Sequence, residues 1–185
     1  MCHFLLPKTL SNSMLEENTE PITLSLPHYI SSFPLQTHSV SLSDLLSLYS
    51  IPEGTTYTGQ EPQGDYSIIL DTSDSFSLDI LKYQAPHGYY ISKLSTTSSA
   101  EAIQYLYKLS SSYAKVYICK PEHDCPTSST KYVVATQFLR FPEKGNLKIP
   151  YYFRMKLEDI NSILGQIQLE HLRFKGIPLG KNISE

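Results

Sequence analysis

The sequence predicts an α/β domain: a mostly parallel sheet with helical crossovers, closed by an antiparallel hairpin near the C-terminus. Three observations carry that expectation. Tyr66-Ser67-Ile68-Ile69-Leu70 is a short apolar run suited to a strand covered on both faces. Gly88 to Leu94 is a second run, one short helical segment later, and strand–helix–strand order favours parallel pairing. Lys115 to Cys119 and Lys131 to Thr136 are separated by a Pro- and Ser-containing loop without a helix. They should therefore pair as an antiparallel hairpin at the sheet edge.

Residues 1–64 read as an N-terminal arm with one short helix, wrapping over the body. Pro7, Pro21, Pro27 and Pro34 forbid a long helix there, and Ile22 to Leu26 suits one short strand. Ser41 to Tyr49 places Leu42, Leu45, Leu46 and Tyr49 at three- and four-residue spacing, which predicts a short helix. Ile51 to Gly64 is a turn-rich loop holding Gly54, Gly59 and Gly64. Residues 65–185 then form the α/β domain proper, in what reads as a single compact unit. Phe76 to Tyr83 predicts a short helix closed before Pro86. The Tyr and Ile of Gly88 to Leu94 favour a strand. Ser98, with Glu101 three residues on, has the form of a capping box, and Ile103, Leu106 and Tyr107 supply the apolar stripe of the helix it opens. A last helix near Leu157 to Leu169 carries Ile160, Ile163, Leu164 and Ile167 on one face.

Composition limits the function classes. The 185 residues, 41% of them hydrophobic, are enough for one real core. A net charge of −3 carries no global nucleic-acid footprint, so contact with RNA would need a local patch. Lys115, Lys120, Lys131, Arg140 and Lys144 gather in the late strands and could touch phosphate; a solvated edge that discourages sheet-to-sheet pairing explains them equally well. No window is apolar enough to span a bilayer. The start MCHFLLPKTLSNS lacks the basic region and long apolar stretch of a secretory signal. Cys2, Cys119 and Cys125 are odd in number and form no CxxC, which reads as reduced thiols of a cytoplasmic protein. His123, Asp124 and Cys125 are adjacent loop residues that cannot all converge on one metal ion. No GxSxG elbow supports a Ser-His-Asp triad.

A more specific pattern runs from Gly88 to Thr136: GYYISKL, a helical segment ending YLYKL, then KVYICKPEHDCPTSSTKYVVAT. It resembles the C-terminal half of FtsJ-type RNA ribose 2′-O-methyltransferases, the fold also used by cap-specific mRNA methyltransferases. The resemblance covers residues 65–140 and implies a reduced Rossmann-like methyltransferase fold. The family has a strand ending in Asp, a strand ending in Lys, a helix, a strand ending in Lys-Pro, a Ser/Pro-rich turn and a strand opened by Glu. Asp71 falls on the Asp, Lys93 on the central Lys, Lys120-Pro121 on the Lys-Pro pair, and Thr130 on the Glu.

The chemistry of that family sets the test. Moving a methyl group from S-adenosylmethionine to a ribose hydroxyl requires the sulfonium beside the oxygen and help in removing its proton. The family uses lysines flanked by carboxylates, and Thr130 offers no charge. No glycine precedes Gly54, so the first 53 residues hold no Gly-rich turn of the kind that brings backbone to a cofactor. Lys8 is the only Lys or Arg before Lys82 and lies in a Pro-flanked segment. The resemblance therefore implies a catalytically silent, regulatory methyltransferase-like subunit with no cofactor. It would bind and stimulate an RNA-cap methyltransferase or mRNA-capping enzyme as a heterodimer. The small stimulatory subunit of poxvirus-type capping enzymes is similar in kind, with a strand ending IxKL, a helix, a strand VxxxK and a late strand ending VAT. The alternatives are an active S-adenosylmethionine-dependent RNA ribose 2′-O-methyltransferase retaining Asp71 and Lys93, and a protein-interaction domain unrelated to RNA. The Pro-rich arm and the last helix carry the apolar excess expected of a partner surface.

Overall fold

The computed structural model describes residues 2–8, 45–47, 49–57, 64–73, 75–120 and 128–174. Among these residues six strands form one mixed sheet: β1 (Cys2–Leu5), β2 (Thr56–Tyr57), β3 (Tyr66–Asp71), β4 (Gln84–Leu94), β5 (Tyr113–Lys120) and β6 (Lys131–Phe138). Their order across the sheet is β1-β5-β6-β4-β3-β2. Among the described residues, the helices α1 (Ala100–Ser112) and α2 (Tyr151–Phe174), a 3-10 helix at Asp79–Tyr83 and helical residues at 45–47 accompany them. No helix among the described residues is long and apolar enough to cross a membrane.

The α/β expectation holds; the mostly parallel sheet does not. β2, β3 and β4 are parallel neighbours, but β4–β6, β6–β5 and β5–β1 are antiparallel. The hairpin of β5 and β6 is present, yet β6 is not an edge. The β4–α1–β5 crossover skips one strand position, and β6 returns antiparallel to fill it. It pairs with β4 from Tyr90↔Ala135 to Leu94↔Lys131 and with β5 from Tyr113↔Phe138 to Cys119↔Tyr132. Lys131 through Ala135 are all buried, as a central strand requires. The edge beyond β5 goes to β1, a strand not expected from the sequence because it spans four residues just before Pro7.

β4 starts four residues before Gly88 and contains Pro86. The ladder with β3 jumps from Tyr66↔Gln84 to Ile68↔Tyr89. Pro86 and His87 therefore lie in an irregular stretch, where a missing N–H breaks no ladder bond. Gly88 is required at the turn back into register. A Cβ there would meet Ser67 O at 2.8 Å and the Gln84 amide nitrogen at 2.0 Å.

Strand side chains alternate between faces. On one face Ile69, Tyr90, Leu94, Val116, Ile118, Val133 and Ala135 pack with Leu106 and Leu109 of α1 and with Phe153, Leu157, Ile160 and Leu164 of α2. On the other, Ile68, Leu70, Ile91, Cys119, Tyr132 and Val134 meet Leu45, with Leu46, Tyr49 and Ile51 alongside. Burying each such Leu or Ile contributes about 1.5–3 kcal/mol. α2 begins at Tyr151, six residues before Leu157, where Pro150 opens it by accepting from the Phe153 and Arg154 amides. Ile163, expected on the apolar stripe, is exposed.

The cap of α1 is Ser99 rather than Ser98. The Ser99 hydroxyl accepts from Ala102 N at 3.1 Å, and Ser98 bonds Thr96 instead. With the cap one residue later, Glu101 no longer occupies the third helical position and the capping box is not formed. Helical residues at 45–47 fall within the predicted Ser41–Tyr49 helix. The Ile22–Leu26 strand and the His123-Asp124-Cys125 loop lie outside the described residues.

Candidate functional site

The residues that carry the methyltransferase resemblance share one end of the sheet. β3, β4 and β5 run in the same direction, so Asp71, Lys93 and Lys120 all sit at or next to their C-terminal ends. Thr130 directly precedes β6, which runs the other way and so starts at that same end. Carboxyl ends of parallel strands are where open α/β sheets hold ligands.

Within that end the side chains part. Asp71 is the register partner of Ser92 and looks toward the helices. One carboxylate oxygen accepts from the Tyr90 hydroxyl at 2.9 Å. The other accepts from Ser73 N at 2.9 Å and Ser73 Oγ at 2.6 Å. The Tyr90 oxygen lies 3.0 Å from that of Tyr105, which lies 2.6 Å from Ser92 Oγ. Burial first, then the Tyr105 hydroxyl and the Asp71 charge, raises the Tyr90 phenol well above its ordinary range. It therefore stays protonated and donates. Asp71 is the acceptor that anchors a buried hydroxyl chain.

Lys93 is exposed and stands between Ser92 and Leu94, which face the helices. Alternation turns it to the opposite face, the side of its register partner Tyr132. The sheet itself thus separates Lys93 from Asp71.

Thr130 contributes its backbone. Its N–H donates to Ser128 Oγ at 3.1 Å, and its carbonyl accepts from Lys120 Nζ at 2.8 Å. Lys120 also donates to Ser128 O at 2.9 Å, Lys131 to Ser129 O at 3.1 Å, and Gln168 of α2 to Ser128 O at 2.8 Å. All three carbonyls of the 128–130 turn are held by side chains. Thr97, in the loop after β4, donates to Asn161 of α2 and ties the helix to the same end. Burial, and secondarily the Lys120 charge, lowers the Lys131 amine to about 8.

The basic residues do not form one patch. Lys120 and Lys131 are only 8% and 9% exposed. Lys115 pairs with Thr136 at the far end of the same strands, about 17 Å along β5 from Lys120 at 3.3–3.4 Å per residue. Arg140 lies at that far end too, where its Nε donates to Ser111 O at 3.1 Å. The sequence offers Lys131 as a possible phosphate contact; the fold buries its amine. The period-two pattern was a signal: Lys131, Val133 and Ala135 occupy one face of β6, and the two apolar members belong to the core.

Cys119 is buried, and burial pushes its thiol up to about 12. Among the described residues no cluster of His, Cys, Asp and Glu could hold a metal ion. No protein-family profile matches the chain, and no curated protein matches it at a significant level.

Proposed function

We propose that this chain is a catalytically silent methyltransferase-like subunit that binds and stimulates an RNA-cap methyltransferase or mRNA-capping enzyme. The observation that carries the reading is the fate of the three motif positions. Asp71 is engaged with Ser73 and Tyr90, Lys93 projects from the other face of the sheet, and Thr130 acts through its backbone. A proton-removing group must lie within hydrogen-bond reach of its substrate, and these three side chains do not share a face. The absence of any glycine before Gly54 supports the reading from the cofactor side. A retained sheet without the ligand chemistry is a workable scaffold, since fold and function are separable.

The test is a methyl-transfer assay on capped RNA with the chain alone, a catalytic cap methyltransferase alone, and the two together. The expected result is no transfer by the chain, an increased rate for the mixture, and the same increase with Lys93→Ala. Transfer by the chain alone that Lys93→Ala abolishes would sink the proposal, as would tight binding of S-adenosylmethionine in a calorimetric titration.

One observation favours the second reading, an active ribose 2′-O-methyltransferase. Lys131 is a buried amine lowered to about 8 at the ligand end of the sheet, the range in which a lysine can take up a proton. On that reading Lys131→Met abolishes transfer by the isolated chain.

A further inference from the structure

The chain's charge is unevenly placed. Residues 139–154 hold four of its 15 Lys and Arg but one of its 18 Asp and Glu. Arg140, Lys144 and Lys148 are exposed and Arg154 is half-buried. The same stretch exposes two rings, Phe141 at 58% and Tyr151 at 52%. Phe141 is steadied from beneath by Phe138, whose ring lies 5.3 Å away at 74°.

The stretch is pinned along α1. Leu139 N donates to Ser112 O at 2.8 Å, and Arg140 Nε to Ser111 O at 3.1 Å. Nearer the start of the helix Gln104 closes a two-point clamp, donating to Leu147 O at 2.6 Å and accepting from Leu147 N at 3.0 Å. The two anchors stand about 10 Å apart along the helix, at 1.5 Å per residue. Between them, on the same side of α1, is Lys108. Gln104, Lys108 and Ser111 are half-exposed, whereas Leu106 and Leu109 enter the core. The helix thus separates this strip from the sheet.

The pattern fits one class of partner. Cations with exposed rings interleaved are what single-stranded nucleic acid requires, phosphates for the charges and base faces for the rings. A membrane surface would favour a continuous apolar face. Here Leu147 and Ile149, in the middle of the strip, are half-buried, so the exposed rings stand at its two ends with Lys144 and Lys148 between them. An acidic peptide would use the cations and leave the rings idle. Glu101 and Glu143 oppose a polyanion, but both are exposed and screened by water.

We propose that the strip from Arg140 to Tyr151 binds single-stranded nucleic acid, with Phe141 and Tyr151 stacking on bases and Lys108, Arg140 and Lys144 meeting phosphates. This surface is distinct from the positions of Asp71, Lys93 and Thr130, and it stands whether or not the chain stimulates a methyltransferase.

The experiment is a fluorescence-anisotropy titration of the full chain against labelled oligouridine and oligothymidine of about 12 nucleotides, within the span of one such site. Saturable binding is expected, with log affinity falling against log salt by about 0.7 for each phosphate engaged. The tighter of the two strands identifies RNA or DNA as the source. Lys108→Gln and Lys144→Gln should each make the salt dependence shallower by about that amount. Phe141→Ala and Tyr151→Ala should each weaken binding about fivefold or more, the lower end for one stacked base, and leave the salt slope unchanged. Lys115→Gln, on the opposite face of the sheet, should change neither. The proposal is overturned if neither strand binds saturably at low salt, or if the folded Phe141→Ala and Tyr151→Ala variants bind as well as the original. It is equally overturned if phosphatidylserine vesicles or poly-glutamate bind as tightly as the oligonucleotides, or if Lys115→Gln weakens binding as much as Lys144→Gln.

Discussion

Lys131 works against the fold at neutral pH. Its amine is lowered from 10.5 to about 8, chiefly by burial. Below pH 8 the folded protein carries a buried ammonium at full cost. Between pH 8 and 10.5 the folded state has released that proton while the unfolded chain still holds it, so stability rises with pH. The rise is about 3 kcal/mol, at ~1.4 kcal/mol for each unit. Urea unfolding of the original protein and of Lys131→Met, each at pH 7.5 and 10, should show the original gaining on the variant at the higher pH. Identical pH dependence in the two would refute it. The Tyr90 hydroxyl offers a second test. It bridges Asp71 and Tyr105 in the core, so Tyr90→Phe should cost about 1.5–3 kcal/mol, the range for a hydrogen bond to a charged acceptor. A loss below a few tenths would show the chain to be dispensable. Cys119 has its thiol pushed up to about 12 and should escape alkylation at pH 8 until the protein unfolds, as peptide mass spectrometry would reveal. The strand-end placement of Asp71 and Lys93 was legible in the sequence. Their opposite facing was not, because it depends on the register that sets Asp71 against Ser92.

At the scale of elements, the strands with continuous apolar runs were readable: Ile68, Ile69 and Leu70 in β3, Val133 and Val134 in β6. Short elements were not. β1 and β2 have four and two residues, too few for a period to declare itself, and they exist because a neighbouring strand offers them a ladder. The start of α1 was misplaced by one residue because Ser98 and Ser99 are both competent caps. The difference is measurable. Ser99→Ala should cost about 1 kcal/mol and Ser98→Ala only a few tenths, compared by thermal unfolding. The reverse order would return the cap to Ser98. Gln104 gives no such warning in the sequence, since its clamp on Leu147 joins positions 43 apart.

The whole molecule hides its main feature from any linear reading. A hairpin strand can add to either side of its partner, and local pattern does not choose. Tertiary packing chooses, by placing Tyr132 and Val134 against one face and Val133 and Ala135 against the helices. The sheet order makes a graded prediction for amide hydrogen exchange. Amides of β6 and of its two neighbours should exchange slowest, near the global unfolding limit, and those of β1 and β2 fastest. Uniform protection across the six strands would contradict that order.

The insertion of β6 also has a consequence for how the protein is made. A ribosome releases β5 before β6, so β5 emerges with the slot between it and β4 still vacant, and β1, made ahead of the other five described strands, has no ladder to join until β5 is in place. A nascent chain halted short of Lys131 would be missing its keystone, leaving two fragments of sheet with nothing between them.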